Sequence, residues 1–217
     1  MNIILGGTHG LGWELASQLR ENGEDTYVIG RSYDEGKHGA GLRVDLADRE
    51  DVNNLIAFVD SQEANLNFYW PAGFGYTGDF AEQNDVQQMV DVNIANVIPV
   101  VQRVWQKMLT ANEPTRLVVV SSTTGFRPRA NEAVYAATKH GQVGLARSLG
   151  MESERLKSNI KVSLFMPGGM QTPFWDGARP SLYDEFLDPA NVARKIIEKT
   201  NNQEAPFYEE VIERGSL

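Results

Sequence analysis

Short runs of β-branched and apolar residues alternate along the chain with longer segments in which apolar residues return every three or four positions. Ile3 to Leu5, Thr26 to Ile29, Leu42 to Val44, Leu66 to Trp70, Arg116 to Ser121 and Lys161 to Phe165 have the length and composition of strands. They lack polar alternation, so burial on both faces is expected. Trp13 to Leu19, Val52 to Val59, Val86 to Leu109 and Val134 to Leu156 carry the spacing of helices that bury one face. Ala205 to Ile212 reads as a last strand. Strand, helix, strand repeated in this way is connected by right-handed crossovers, which predicts a doubly wound α/β fold: a mostly parallel, seven-stranded sheet with helices on both faces. Asp48, followed by Asp51, reads as an N-cap with favourable first-turn charge, and Gly23 stops the first helix. No repeat, low-complexity tract or Pro/Ser linker divides the sequence, so residues 1–217 are read as a single domain. Gly36 to Gly41 and Pro173 to Pro189 are read as its long loops.

Composition removes several classes of function. The chain has 217 residues, a formal net charge of -9, three histidines and no cysteine. Without cysteine there is no thiol nucleophile, disulfide framework or cysteine-ligated zinc, and three scattered histidines do not suggest a metal cage. The acidic balance, with no Lys/Arg stripe, argues against nucleic acid or an anionic membrane as partner. Apolar stretches such as Leu117 to Val120 fall far short of the ~20 residues that span a bilayer. Met1-Asn2 leads straight into Ile3-Ile4-Leu5 with no leader pattern, so a soluble cytoplasmic protein is expected.

Directly after the first strand comes Leu5-Gly6-Gly7-Thr8-His9-Gly10-Leu11-Gly12, and a helix starts at once. A dinucleotide pyrophosphate needs close backbone approach at a helix N-terminus, where free N–H groups and the macrodipole favour anions. The spacing of three glycines is weak by itself. Its place at the strand-to-helix junction where α/β sheets bind nucleotides makes Gly6, Thr8, His9, Gly10, Leu11 and Gly12 cofactor-binding candidates. The tip of the second strand tests which nucleotide is bound. A carboxylate there suits a ribose 2′-OH and a cation suits a 2′-phosphate. It reads Gly30-Arg31-Ser32, so Arg31 can grip a 2′-phosphate and Ser32 can add a hydroxyl, with His9 as a second donor. Asp34 and Glu35 lie close by with the opposite sign.

Tyr135 and Lys139 stand at i and i+4 on a helical segment and leave one face of it. A phenol near its ordinary pKa of ~10 is a poor acid or base at neutral pH, and an adjacent ammonium favours the phenolate. Ser122 closes a buried strand thirteen residues upstream, at the carboxyl end where open α/β sheets place ligand-contacting residues.

Taken together these residues resemble the short-chain dehydrogenase/reductase family, in its short single-domain NADP(H)-dependent branch, over nearly the whole chain. The pattern comprises the glycine turn, Asp45-Leu46 after the third strand, Ala72-Gly73 after the fourth, Asn93, Ser122, Tyr135, Lys139, and Pro167-Gly168 followed by Thr172. The resemblance implies a Rossmann-type fold, with Asp45 and Leu46 at the adenine site. It also implies that Ser122 holds the substrate oxygen while Tyr135 gives or takes its proton. By the same resemblance Lys139 binds the nicotinamide ribose and lowers the Tyr135 pKa, Asn93 holds a water in the proton relay, and the Pro167 to Thr172 turn positions the nicotinamide. The expected cofactor is NADP(H) in preference to NAD(H).

Three features depart from the family pattern. Leu5 stands where Thr is usual, Trp70-Pro71 replaces Asn-Asn before Ala72-Gly73, and the chain is shorter than most relatives. Pro71 lacks a backbone N–H and Trp70 is far bulkier than Asn, which leaves open how hydrogen bonding beside the cofactor is kept. Residues 173–188 fall where family members carry a substrate lid, with Phe174, Trp175 and Tyr183 as an apolar wall and Gly177 as a hinge. Phe126, Arg127 and Arg129 are further substrate candidates, and Gln171 a weaker one. Ala136, Ala137, Gly141 and Gly144 permit close packing of the Tyr-bearing helix, and relatives pair through it, so a homodimer or homotetramer is expected. The functional expectation is an NADP(H)-dependent oxidoreductase acting on a small-molecule carbonyl or secondary alcohol. A non-catalytic NADP(H)-binding sensor or scaffold is the alternative.

Overall fold

The computed structural model describes residues 1–175 and 179–215, so the Gly177 hinge lies outside the described residues. Among them one sheet is formed by β1 (Asn2–Leu5), β2 (Thr26–Gly30), β3 (Gly41–Arg43), β4 (Asn67–Trp70), β5 (Thr115–Val120), β6 (Ile160–Pro167) and β7 (Phe207–Ile212). The order is β3-β2-β1-β4-β5-β6-β7, and every neighbouring pair is parallel. The helices are α1 (Gly10–Glu21), α2 (Glu35–His38), α3 (Arg49–Ser61), α4 (Val86–Val90), α5 (Val97–Met108), α6 (Ala133–Leu156) and α7 (Pro189–Asn201).

Side chains alternate across a strand, so successive residues of a central strand feed different layers. Ile3, Leu5, Phe68, Trp70, Leu117 and Val119 pack towards α3, α5 and α6. Ile4, Tyr69, Val118 and Val120 pack towards α1 and α7. Both layers are apolar, which is why β1, β4 and β5 read as continuous hydrophobic runs. Fully burying a side chain such as Leu15 or Ile196 is worth about 1.5–3 kcal/mol, and the two clusters sum many such terms.

Local signals set the ends of the helices. Asp48 accepts from the backbone N–H of Glu50 at 2.7 Å and of Asp51 at 3.4 Å, and so caps α3 as expected. Gly23, at φ +80°, follows the Asn22 cap of α1.

Four departures from the sequence reading have physical causes. The stretch around Leu42 is not buried on both faces, because β3 pairs only with β2 at the sheet edge and leaves Arg43 exposed. The Val86 to Leu109 segment is not one α-helix: a π-helical turn over Asp91–Ala95 interrupts it. Glu35–His38 forms a one-turn helix that overlaps the start of the expected Gly36 to Gly41 loop, capped by Asp34. Finally α7, with Asp188 as N-cap and Pro189 in its first turn, is a helix that the sequence reading does not predict.

All strands being parallel, their carboxyl ends share one edge of the sheet. The chain leaves β1 towards β2 on one side and returns at β4 on the other, and this reversal opens a crevice above β1.

Candidate active site

A cleft of about 1110 Å³ runs along that edge, from the glycine turn to Ser122 and Tyr135. Its first end is built on the turn between β1 and α1. Gly6 has φ +92°, and a Cβ there would sit 2.7 Å from the Ala72 Cα. A Cβ on Gly12 would sit 2.0 Å from the Gly6 carbonyl oxygen, so neither position admits a side chain. His9, the N-cap residue of α1, makes no side-chain cap bond, and no acidic residue lies in the first turn. The N–H groups and positive dipole end of α1 therefore remain available to an anion.

Cations gather beside this turn. Arg31 is exposed and lines the cleft. Burial pushes the His9 pKa down, and the nearby charges of Lys37, His38 and Arg31 push it further. The Asp34 carboxylate is engaged by the Lys37 backbone N–H at 3.0 Å, capping α2. On the facing wall the Asp45 carboxylate accepts from the Ala47 N–H at 3.0 Å, and Asn96 Nδ2 donates to the Leu46 carbonyl at 2.8 Å.

The other end of the cleft is made by β5 and α6. Ser122 follows β5, and its Oγ accepts from the Thr124 N–H at 3.1 Å, fixing a 3-10 turn over Thr123–Gly125. Tyr135 projects from the first turn of α6, with Ser122 within hydrogen-bonding reach. Burial raises the Tyr135 pKa well above the ordinary phenol range; Ser122 opposes that rise, while Glu132 adds to it and Arg129 subtracts from it. Lys139 is buried below, its Nζ 5.6 Å from the centre of the Tyr135 ring, donating to the Val120 carbonyl at 3.3 Å and to Gln142 Oε1 at 3.0 Å. Burial lowers its pKa to about 7. In the protein alone, burial favours the neutral forms of both members of the pair.

Asn93 sits in the π-helical turn, a feature that recurs at functional sites. Its Oδ1 accepts from the Phe74 N–H at 2.9 Å and its Nδ2 donates to the Phe74 carbonyl at 2.8 Å, clamping the loop after β4. Trp70 is fully buried in the core, Ala72 N–H donates to the Leu5 carbonyl at 3.0 Å, and Ala72 and Gly73 reach the cleft.

Most of the expected residues converge here. Gly6, Thr8, His9, Gly10, Leu11, Gly12, Arg31, Asp45, Leu46, Ala72, Gly73, Ser122, Tyr135, Pro167, Gly168, Thr172, Phe174 and Trp175 line the cleft, with Lys139 and Asn93 behind it. Others do not. Phe126 packs on the core, because the 3-10 turn after Ser122 carries it away, and Arg127 lies over its ring and pairs with Glu213. Ser32 is exposed and does not line the cleft, and Gln171 donates to the Asp184 carbonyl at 3.0 Å. The Phe174 ring lies 5.8 Å from that of Tyr135 and 5.1 Å from Trp175, and Trp175 lies 5.4 Å from Phe186. Phe186 thus joins Phe174 and Trp175 in the apolar wall, whereas the expected Tyr183 does not line the cleft, its ring packing 5.8 Å from that of Phe186. Sequence reasoning missed Phe74, Gly75 and Tyr76 in the wall, although Gly73-Phe74-Gly75-Tyr76-Thr77-Gly78 has the glycine-rich, aromatic make-up of a binding loop. Lys37 was missed as well, because it reaches the turn only through the short helix α2.

No helix among the described residues is long and apolar enough to cross a membrane, and no group of three or more His, Asp or Glu in them could hold a metal ion. A family model described as short chain dehydrogenase matches residues 1–182. The chain is 25% identical over 174 residues to the 3-oxoacyl-[acyl-carrier-protein] reductase MabA of Mycobacterium bovis, covering 78% of this chain and 69% of the relative. A short-chain dehydrogenase/reductase from Vibrio parahaemolyticus matches in structure with a TM-score of 0.76 at 26% identity, over 99% of this chain and 96% of that one. ElxO, solved with NADP bound, matches with a TM-score of 0.81 at 20% identity over 99% and 97%, a likeness of fold.

Proposed function

Because the chain belongs to the short chain dehydrogenase family, we propose that it is an NADP(H)-dependent oxidoreductase acting between a carbonyl and a secondary alcohol, with Tyr135 as general acid and base. One observation carries this reading: the cleft that begins at the anion-binding end of α1 terminates at Ser122 and Tyr135, with Lys139 beneath them. The glycine turn, Asp45, Leu46, Ala72, Gly73 and the Pro167 to Thr172 turn would hold the cofactor, which when bound supplies hydride chemistry. Arg31, with His9 and Lys37 beside it, favours a 2′-phosphate and hence NADP(H) over NAD(H). Ser122 Oγ can orient a carbonyl oxygen next to the Tyr135 hydroxyl. A phenol whose pKa burial has raised is protonated at neutral pH, so Tyr135 is ready to donate to a developing alkoxide. Phe174 and Trp175 offer an apolar surface to the remainder of the substrate.

The test follows NADPH absorbance over a panel of aldehydes, ketones and 3-oxoacyl thioesters, with Tyr135→Phe in parallel. Turnover should fall by about 10²–10⁴ in the variant while NADPH still binds. If wild type and variant bind NADPH equally and neither oxidises it with any carbonyl, the non-catalytic sensor reading takes its place.

A further inference from the structure

A fully buried polar side chain needs a partner for each of its polar atoms, and where those partners lie shows what it does. Gln142, three residues after Lys139 on the same face of α6, is 0% exposed. Its Oε1 accepts from Lys139 Nζ at 3.0 Å, and its Nε2 donates to the Asn93 backbone carbonyl at 2.9 Å. Both ends of the amide are therefore spent on residues of the site. The resemblance assigns Asn93 to holding a water in the proton relay. In this chain a side chain already takes the Asn93 carbonyl, so Asn93 and Lys139 are joined through protein atoms.

The surroundings of Lys139 show why such a link matters. A buried ammonium keeps its proton only if acceptors face it. The acceptors given to Lys139 are neutral: the Val120 carbonyl at the end of β5 and Gln142 Oε1 on its own helix. The loop after β4 comes close at Gly73, Asn93 contributes from the π-helical turn, and Ser121 Oγ donates to the Lys139 carbonyl at 3.0 Å. Tyr135 is the titratable group facing Lys139, and the charged groups that act on Tyr135 are Glu132 and Arg129. Among the described residues no acidic group offsets the burial of Lys139.

We propose that Gln142 is a positioning residue for proton transfer at Tyr135. It acts through Lys139, holding the ammonium with its carbonyl while its amide anchors that hold to Asn93. This rests on the oxidoreductase reading above, and it adds a residue on which the acid–base pair depends. Asn93 in turn clamps Phe74, so one chain of bonds runs from Lys139 through Gln142 to the cleft wall.

The experiment reads Lys139 directly, without a substrate. Protein labelled with ¹³C at the lysine ε carbons is titrated by NMR, with Lys139→Arg identifying the resonance. In Gln142→Met the midpoint falls by about one pH unit, because the ammonium loses an acceptor. In Gln142→Glu it rises by about one unit or more, because a carboxylate oxygen takes the acceptor's place. Midpoints unchanged from wild type in both variants would overturn the inference, and Gln142→Glu still decides if Gln142→Met fails to fold. In the NADPH assay kcat of Gln142→Met falls about tenfold, and its pH profile moves with the Lys139 midpoint. A wild type that turns nothing over sinks the function reading, whereas turnover with an unmoved Lys139 sinks only the role of Gln142.

Discussion

Replacing Lys139 with Met should abolish turnover and also remove a specific pH dependence from the protein's stability. The Lys139 ammonium has an ordinary value of 10.5 in the unfolded chain and about 7 in the fold, lowered by burial. At about 1.36 kcal/mol per unit this gap is about 5 kcal/mol. Below pH 7 both states carry the proton, and the fold bears the whole penalty. Between pH 7 and 10.5 the unfolded chain binds a proton that the fold does not, so stability rises with pH through that window. Above it neither state is charged and the penalty is gone. Met has no such dependence. The stability of wild type minus that of Lys139→Met should therefore increase by about 3 kcal/mol between pH 6 and 9.5. The variant also leaves Gln142 Oε1 and the Val120 carbonyl without their donor, at about 1–3 kcal/mol each, but that cost is the same at every pH and drops out of the slope. Urea unfolding at half-unit pH steps measures the difference. A flat difference would refute the reasoning, since it would mean that water or a counter-charge reaches Lys139 in the folded state.

Arg31→Ala should weaken NADPH binding at least tenfold, about 1.4 kcal/mol, and leave NADH binding within twofold by fluorescence titration; equal losses would show that Arg31 does not read the 2′-phosphate. Gly12→Ala places a Cβ 2.0 Å from the Gly6 carbonyl oxygen, so α1 must shift, costing about 2–3 kcal/mol in denaturant unfolding and most of the NADPH affinity. Trp70→Phe deletes a buried indole N–H that has no partner and leaves a small void, so the two terms offset to within about 1 kcal/mol. A loss above about 3 kcal/mol on denaturant unfolding would show that the indole N–H is bonded.

Much of this was legible in the sequence because the sheet is covered on both faces. Ile3-Ile4-Leu5 and Leu117 to Val120 read as strands since every residue has a buried destination. The glycine turn was legible because backbone contact at Gly6 and Gly12 excludes any other residue. What escaped depends on contacts distant in sequence. The apolar period runs through Asp91–Ala95 without a break, so the π-helical turn that presents Asn93 leaves no trace in the pattern. Phe126 follows Ser122 by four residues, but its destination was set by the 3-10 turn between them. Gln142 looks like an ordinary polar helix residue until the packing of α6 against Asn93 buries it.

The strand order has a consequence for how the molecule comes to exist. Asn2 in β1 pairs with Thr26 on one side and with Asn67 on the other, so the central strand of the cleft is completed only when a partner some sixty residues away arrives. Such long-range parallel pairing slows folding, because loop closure is paid before any contact rewards it. During synthesis the glycine turn, Arg31, Asp45 and Ala72 have all left the ribosome before Ser122, Tyr135 and Lys139 have been translated. The machinery of proton transfer is thus added between two parts of the nucleotide cradle, after β1 to β4 and before the Pro167 to Thr172 turn that completes it.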